Sequence, residues 1–279
     1  MFENQVRESV VAGSFYSANP STLKETVISY LKNAPYKGIE NIRGLVCPHA
    51  GYIYSGEVAA CSYRQIGQKP YECIIIIAPS HAEYFDFNSV FAGKAYKTPL
   101  GIVEVDIGRC RALAQCPQYS GFIQISNYGH RKEHSLEVQL PFLQVVFGDF
   151  KIVPVVMGSQ CRANIESLGN AIGTVFKGQD ILIIASTDLS HYHPYDTAAG
   201  LDREVNNALK EFDPVKFTDA IAKDEYEMCG GGPVAATMLA SKLLGAGRSE
   251  ILCYKNSGDV SGDRSAVVGY VSAVFYKER

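Results

Sequence analysis

Cys73-Ile74-Ile75-Ile76-Ile77-Ala78-Pro79-Ser80-His81 is the stretch whose reading decides the fold. Four consecutive isoleucines are too few for a helix and too apolar for a strand with one wet face, so they read as a strand buried on both faces of a parallel sheet. Pro79 ends the run. His81 is thereby delivered just past the carboxyl end of a central strand, where open α/β sheets bind their ligands. Two other stretches repeat the plan. Leu45-Val46-Cys47-Pro48-His49 runs apolar, breaks at proline and ends in histidine, and Ile181-Leu182-Ile183-Ile184-Ala185-Ser186-Thr187-Asp188-Leu189-Ser190-His191 ends in an Asp and a His. Three strand ends that carry histidine predict one site.

Working outward, Asn19-Pro20 suits a helix start, and Leu23, Val27, Ile28 and Leu31 continue it at helical spacing to about Asn33. A strand from about Arg43 to Cys47 leads into His49-Ala50-Gly51-Tyr52-Ile53-Tyr54-Ser55-Gly56 and a helix through Val58, Ala59 and Tyr63. Between Asn88 and Asp106, Val90-Phe91-Ala92 and Ile102-Val103-Glu104-Val105 flank Thr98-Pro99-Leu100-Gly101, which predicts a hairpin-like insertion at a sheet edge. Helices are expected over Ile107 to Cys116, Ser135 to Phe147, Arg162 to Phe176, Ala198 to Phe212, Pro214 to Ala222 and Pro233 to Leu244. Further strands are expected over Ile152 to Val156, Ile251 to Tyr254 and Ala266 to Phe275. The β-α-β-α alternation predicts an α/β chain, a single domain over residues 1–279 with a mostly parallel mixed sheet flanked by helices.

Composition narrows the function classes. The net charge of -3 and the lack of any Lys/Arg run exclude a nucleic-acid footprint. No apolar segment approaches the ~20 residues that span a bilayer, and the N-terminus lacks a charged head followed by an apolar run, so a cytoplasmic protein away from the membrane is expected. The 8 cysteines contain no CxxC pair, which argues against a disulfide framework and for small buried apolar residues.

His49 and His81 follow buried strands beside chain-breaking residues that expose their rings, which favours a metal pair over two structural histidines. Two imidazoles rarely hold a metal alone, and Cys229 is the best candidate for a third ligand. It lies in Glu227-Met228-Cys229-Gly230-Gly231-Gly232-Pro233 before a predicted helix, whose dipole and free amides favour a thiolate. Local sequence equally allows a buried apolar cysteine before a glycine-rich turn, and both readings stand at this point. Asp188 and His191 are spaced to offer a carboxylate and an imidazole as an acid–base pair. His130-Arg131-Lys132-Glu133-His134 fits the H-x-x-E-H pattern of inverted zinc peptidases. That pattern needs one continuous helix, whereas Gly129 and the charge run predict a helix beginning only near Glu133 or Ser135. His134 is therefore retained as a pocket residue near a helix N-terminus. No G-x-S-x-G elbow, P-loop or G-x-G-x-x-G fingerprint occurs.

Ala12-Gly13-Ser14-Phe15-Tyr16, Pro48-His49-Ala50-Gly51-Tyr52-Ile53-Tyr54-Ser55-Gly56, Pro79-Ser80-His81, Glu133-His134-Ser135-Leu136-Glu137 with Leu140-Pro141-Phe142, Ser186-Thr187-Asp188-Leu189-Ser190-His191-Tyr192 and Cys229-Gly230 together resemble the Memo family. The match runs in order over essentially the whole chain. The Memo family is similar in fold to the class III extradiol ring-cleaving dioxygenases, non-haem iron enzymes whose iron is held by two histidines and a glutamate. The resemblance implies metal at His49 and His81 and places Cys229 at the third position. It implies an acid–base role for His191 and pocket roles for Asp188 and Tyr54. Bacterial and archaeal relatives resemble the middle member of a set comprising an AMMECR-like protein, Memo and a radical-SAM protein (AmmeMemoRadiSam), which implies those two as partners. Memo clefts are also associated with phosphotyrosine-type peptides, although Phe15 stands where an animal relative tends to carry tryptophan.

A thiolate in place of a carboxylate changes the metal chemistry, because it is soft and favours copper(I), zinc or a redox role over iron(II) binding dioxygen and a catecholate. The expectation is a metal-dependent redox protein, dioxygenase-like, that holds iron(II) or copper and acts on a small aromatic or phenolic substrate. The alternative is a non-enzymatic protein that binds a peptide or partner in a vestigial cleft. A zinc hydrolase on the same three residues is a third reading, with zinc the poorer match.

Overall fold

The computed structural model describes residues 4–67 and 70–278. Its strands are β1 (Val6–Arg7), β2 (Ile42–Cys47), β3 (Cys73–Pro79), β4 (Asn88–Val90), β5 (Ala95–Thr98), β6 (Gly101–Val105), β7 (Ile123–Ile125), β8 (Lys151–Met157), β9 (Ile181–Ser186), β10 (His191–His193), β11 (Arg248–Asn256) and β12 (Val267–Tyr276). Its helices are α1 (Pro20–Asn33), α2 (Tyr52–Tyr63), α3 (Ile107–Ala114), α4 (Leu140–Phe147), α5 (Arg162–Val175), α6 (Tyr195–Glu211), α7 (Pro214–Ala222), α8 (Gly231–Leu243) and the short α9 (Gly258–Ser261).

The isoleucine run is the centre of the sheet, as its composition predicts. The strand order is β1-β5-β6-β8-β3-β9-β2-β12-β10, with β11 joined to β12 and β4 joined to β7 and β8. Every residue of β3 is buried, and Ile74 lies opposite Ile152 of β8 and Leu182 of β9. Each such isoleucine contributes ~1.5–3 kcal/mol relative to exposure. β6, β8, β3, β9 and β2 pair parallel throughout, so all five end on the same side of the sheet. Antiparallel β12 and β11 close one edge, and the β5–β6 pair lies towards the other. The α/β reading with a mostly parallel mixed sheet therefore holds.

Helices cover both faces. Space beside Gly44 in β2 is filled by Thr237 and Ser241 of α8, whereas Cys47 meets Ser62 and Tyr63 of α2. Residues 44 and 47 point to opposite sides of a strand, so α8 and α2 lie on opposite faces. Among the described residues no helix is long and apolar enough to cross a membrane.

Several boundaries differ from the sequence reading. The hairpin is made by β5 and β6, with Tyr96 opposite Val103. Val90 belongs instead to β4, which runs antiparallel to β8. The chain turns at Gly93, where the Phe91 ring occupies the place of a Cβ at 2.3 Å. The helix expected from Ser135 begins as a 3-10 turn at Glu137 and becomes α-helical at Leu140. Ser135 stays outside because its N–H and hydroxyl both donate to the Glu133 carboxylate, at 2.9 and 2.7 Å, which satisfies the backbone locally without a helix.

His130, the first residue of the H-x-x-E-H pattern, is buried in the fold beside Phe91 and Tyr96. Its Nε2 faces the Ser89 carbonyl at 2.9 Å and therefore carries the proton, so Nδ1 accepts from the Tyr96 hydroxyl at 2.6 Å. Burial lowers its pKa from 6.5 to about 3. A histidine kept neutral in this way contributes stability that is fully present above pH ~6.5 and is lost as pH falls towards ~3. Urea unfolding should show that loss, and His130→Gln, which cannot charge, should show a shallower one. Tyr96→Phe, which orphans Nδ1, should cost about 1–3 kcal/mol at neutral pH.

Candidate metal centre

β2, β3 and β9 lie side by side and end together, so the residues just past them share one end of the sheet. His49, His81 and Cys229 offer ligand atoms that all lie within 4.8 Å of one another, as do His81, Glu133 and His134. His81 belongs to both groups. The three imidazoles face each other, with ring centroids 5.2 Å apart for His49–His81, 5.5 Å for His49–His134 and 4.9 Å for His81–His134. Phe15 packs on His134 at 4.9 Å.

The orientation of both strand-end histidines follows from hydrogen-bond bookkeeping. Ser186 Oγ donates its single hydrogen to the Ser135 carbonyl at 2.7 Å and accepts from Gln139 Nε2 at 2.8 Å. Its contact with His49 Nδ1 at 3.0 Å must then be accepted from the ring. His49 carries its proton on Nδ1, and Nε2 is left with a free lone pair, 3.2 Å from Cys229 Sγ. His81 Nδ1 lies 2.9 Å from Glu133 Oε1 and donates to it, which leaves its Nε2 as the open atom too. The backbone N–H of His81 donates to the other oxygen of Glu133 at 2.6 Å, so one carboxylate holds both the main chain and the ring.

Charges follow burial and these partners. His49 is held well below its usual pKa by burial and by the neighbouring His81 and His134, so it is neutral. Burial also lowers His134 and His191. His81 is the most exposed of the cluster, and although burial lowers its pKa, the Glu133 hydrogen bond and charge outweigh that and raise it. Burial works against the Glu133 charge, yet His81 and the Ser135 backbone bring its carboxyl down to about 2.

Cys229 is placed by its neighbours on both sides. Its N–H donates to the Asp188 carbonyl at 3.3 Å, its carbonyl accepts from Gln160 Nε2 at 2.7 Å, and Gly232 N–H donates to Gln160 Oε1 at 2.6 Å. Gly230 is required here, because a Cβ would lie 2.3 Å from the Ser186 carbonyl oxygen. The sequence argument that a helix N-terminus favours a thiolate does not hold on its own. Burial and the Asp188 charge push the Cys229 thiol up, despite the Asp188 N–H donating to Sγ at 3.2 Å.

Asp188 and His191 are not hydrogen-bonded to each other. The Asp188 carboxylate accepts from the His49 N–H at 2.8 Å, with its other oxygen 3.9 Å from His49 Nε2. Burial raises it to about 7, against backbone hydrogen bonds from His49 and Ala50. His191 opens β10, with its N–H donating to Glu227 at 3.0 Å. Tyr54 sits in the first turn of α2, partly exposed, near the buried Tyr270. Sequence reading gave no role to Glu133, Ser186 or Gln139. Glu133 and Ser186 fall inside the quoted motifs and Gln139 just after one, but nothing local marks what they hold, since their partners lie up to 137 residues away.

The Memo-like protein model matches residues 7–274. A MEMO1 family protein of Nitrosopumilus maritimus is 37% identical over 97% of this chain and 99% of its own length. MEMO1 family protein Mbar_A1422 of Methanosarcina barkeri is 40% identical over 96% of this chain and 99% of its own. Among solved structures, an uncharacterized protein, JW3007, of Escherichia coli K12 superposes with a TM-score of 0.58 at 12% identity, covering 84% of this chain and 99% of that one, a likeness of fold alone. With a family model running from β1 to β12 and relatives matched nearly end to end, the chain belongs to the Memo-like protein family.

Proposed function

We propose that the chain is a metal-dependent redox protein whose single metal, copper or iron(II), is held by His49, His81 and Cys229. The observation that carries this reading is the convergence of two neutral-capable imidazoles, each with Nδ1 engaged by a fixed partner, and one thiol within 4.8 Å. Tetrahedral or trigonal sites with bonds of ~2.0–2.3 Å place ligand atoms ~3.3–4.0 Å apart, so a small inward movement of these side chains would close them on one ion. The thiolate favours copper over iron(II), and zinc would fit the donors without supplying redox chemistry.

When bound, such a metal supplies one-electron redox chemistry and an open coordination position for a small phenolic ligand. The chain's own groups would do the rest. His191, kept neutral by burial, is suited to accept a phenol proton. Asp188, raised to about 7, shares a proton with solvent near neutral pH while fixing the His49 backbone. His134 and Phe15 form an aromatic wall beside the histidines, and Tyr54 stands at the rim. A second reading, a cleft that binds a peptide or partner protein, is favoured by the exposed Ile53 at 70% and Tyr192 at 76%. Binding that survives chelation would select it.

Metal analysis after anaerobic purification, followed by oxygen uptake with catechol-like compounds, tests the first reading. One redox metal per chain is expected in the wild type and none in Cys229→Ala or His81→Ala. Unchanged metal in Cys229→Ala would overturn the ligand set. Glu133→Gln keeps the shape but weakens the hold on His81, and should lower metal affinity about 10–100-fold. Because a thiol pushed up by burial must lose its proton when a cation binds, affinity should fall about tenfold for each unit of pH lowered around neutrality. Isothermal titration in buffers of different ionisation enthalpy would detect the released proton.

A further inference from the structure

We propose that Cys61 and Cys253 form a dithiol modification site, which small-molecule disulfides oxidise to an intrachain disulfide joining α2 to β11. Two pairs of side chains connect these elements in step. Lys255 of β11 reaches Glu57 of α2, with Nζ 2.5 Å from Oε2. Cys253 lies two residues before Lys255 and shares its face of the strand. Cys61 lies four residues after Glu57, one helical turn on. Four helical residues advance ~6 Å and two strand residues ~6.6 Å, so the cysteines stand level across the seam as the ion pair does. A neighbouring contact fixes the same seam: Ser62 Oγ lies 2.5 Å from Ser272 Oγ, and Ser272 is the strand partner of Cys253. The two cysteine side chains interact directly.

Their surroundings divide the labour. Cys61 is buried, at 4% exposed, with Sγ 3.4 Å from the Glu57 carbonyl, whereas Cys253 is partly open to solvent. Contact with Cys61, aided by the Lys255 charge, lowers the Cys253 thiol against the effect of burial. The same contact, with burial, pushes Cys61 up. Because solvent reaches Cys253 and not Cys61, Cys253 is the attacking thiol and Cys61 the resolving thiol.

In the first step the Cys253 thiolate attacks one sulfur of the small disulfide, forming a mixed disulfide and expelling one thiolate, which takes a proton from water. The Cys61 sulfur then attacks Cys253 Sγ, its proton passing to the second departing thiolate. The protein loses two electrons and two protons, and the small disulfide becomes two thiols.

The test uses the reduced full-length chain, oxidised glutathione at neutral pH, alkylation of the remaining thiols and peptide mass spectrometry without reduction. The expected result is a linked Cys61–Cys253 peptide with the loss of two titratable thiols. Cys61→Ser should stop at a glutathione adduct on Cys253. Cys253→Ser, a change at a partly exposed position, should leave Cys61 unmodified. A glutathione adduct that persists on Cys253 in the wild type would overturn the proposal. So would modification of exposed Cys161 with none at Cys253, or an adduct on Cys61 in the Cys253→Ser chain.

Discussion

Parallel pairing is the constraint from which the site follows. Once β3 pairs with β9 and β9 with β2 in the same direction, the residues after all three strands must emerge on one side. His49, His81 and Asp188 are separated by up to 139 residues in the chain, yet the His49 N–H donates to the Asp188 carboxylate. No local preference could bring them together. The apolar strand sequences do so because each can be buried only when flanked by its neighbours in register.

Sheet geometry fixes where the loops begin, and buried polar groups fix how their side chains point. Ser186 is the last residue of β9, with its hydroxyl saturated by Ser135, Gln139 and His49. Gln139 in turn donates to the Pro48 carbonyl and accepts from Tyr63, at 3.0 and 2.8 Å. An unmet partner in such a network costs about 1–3 kcal/mol, so the network selects one tautomer of His49. Glu133 does the same for His81. The two rings are thus each fixed with the same nitrogen left open, an arrangement that would reduce the ordering cost of binding a cation.

The fold was largely legible because its long strands carry unambiguous composition. Cys73 to Ile77, Ile152 to Val156 and Ile181 to Ser186 read as doubly buried strands and are such. β1, β7 and β10, of two or three residues each, were not read. Such lengths carry no periodicity, and these strands exist through their pairing partners. The positions of His49, His81 and Cys229 were legible from chain breaks after strands and from family motifs. The state of the Cys229 thiol was not, because a helix start is visible in sequence while the desolvation that outweighs it depends on residues packed from elsewhere.

The carboxylates around the histidines act as fasteners between loops. Glu133 takes the His81 and Ser135 N–H groups, and Asp188 takes that of His49. Glu137 takes those of Val10 and Val11 and the buried Arg7. Glu227 takes that of His191, and Glu83 that of Gly129. Irregular backbone beside a sheet end has donors that strands cannot satisfy, and a carboxyl oxygen on a short side chain is a strong acceptor for them. With the acidic groups committed in this way, the side chains left with open donor atoms at the centre are imidazoles and a thiol. The soft, nitrogen–sulfur character of the site therefore follows from how its loops are held, as well as from which residues the strands deliver.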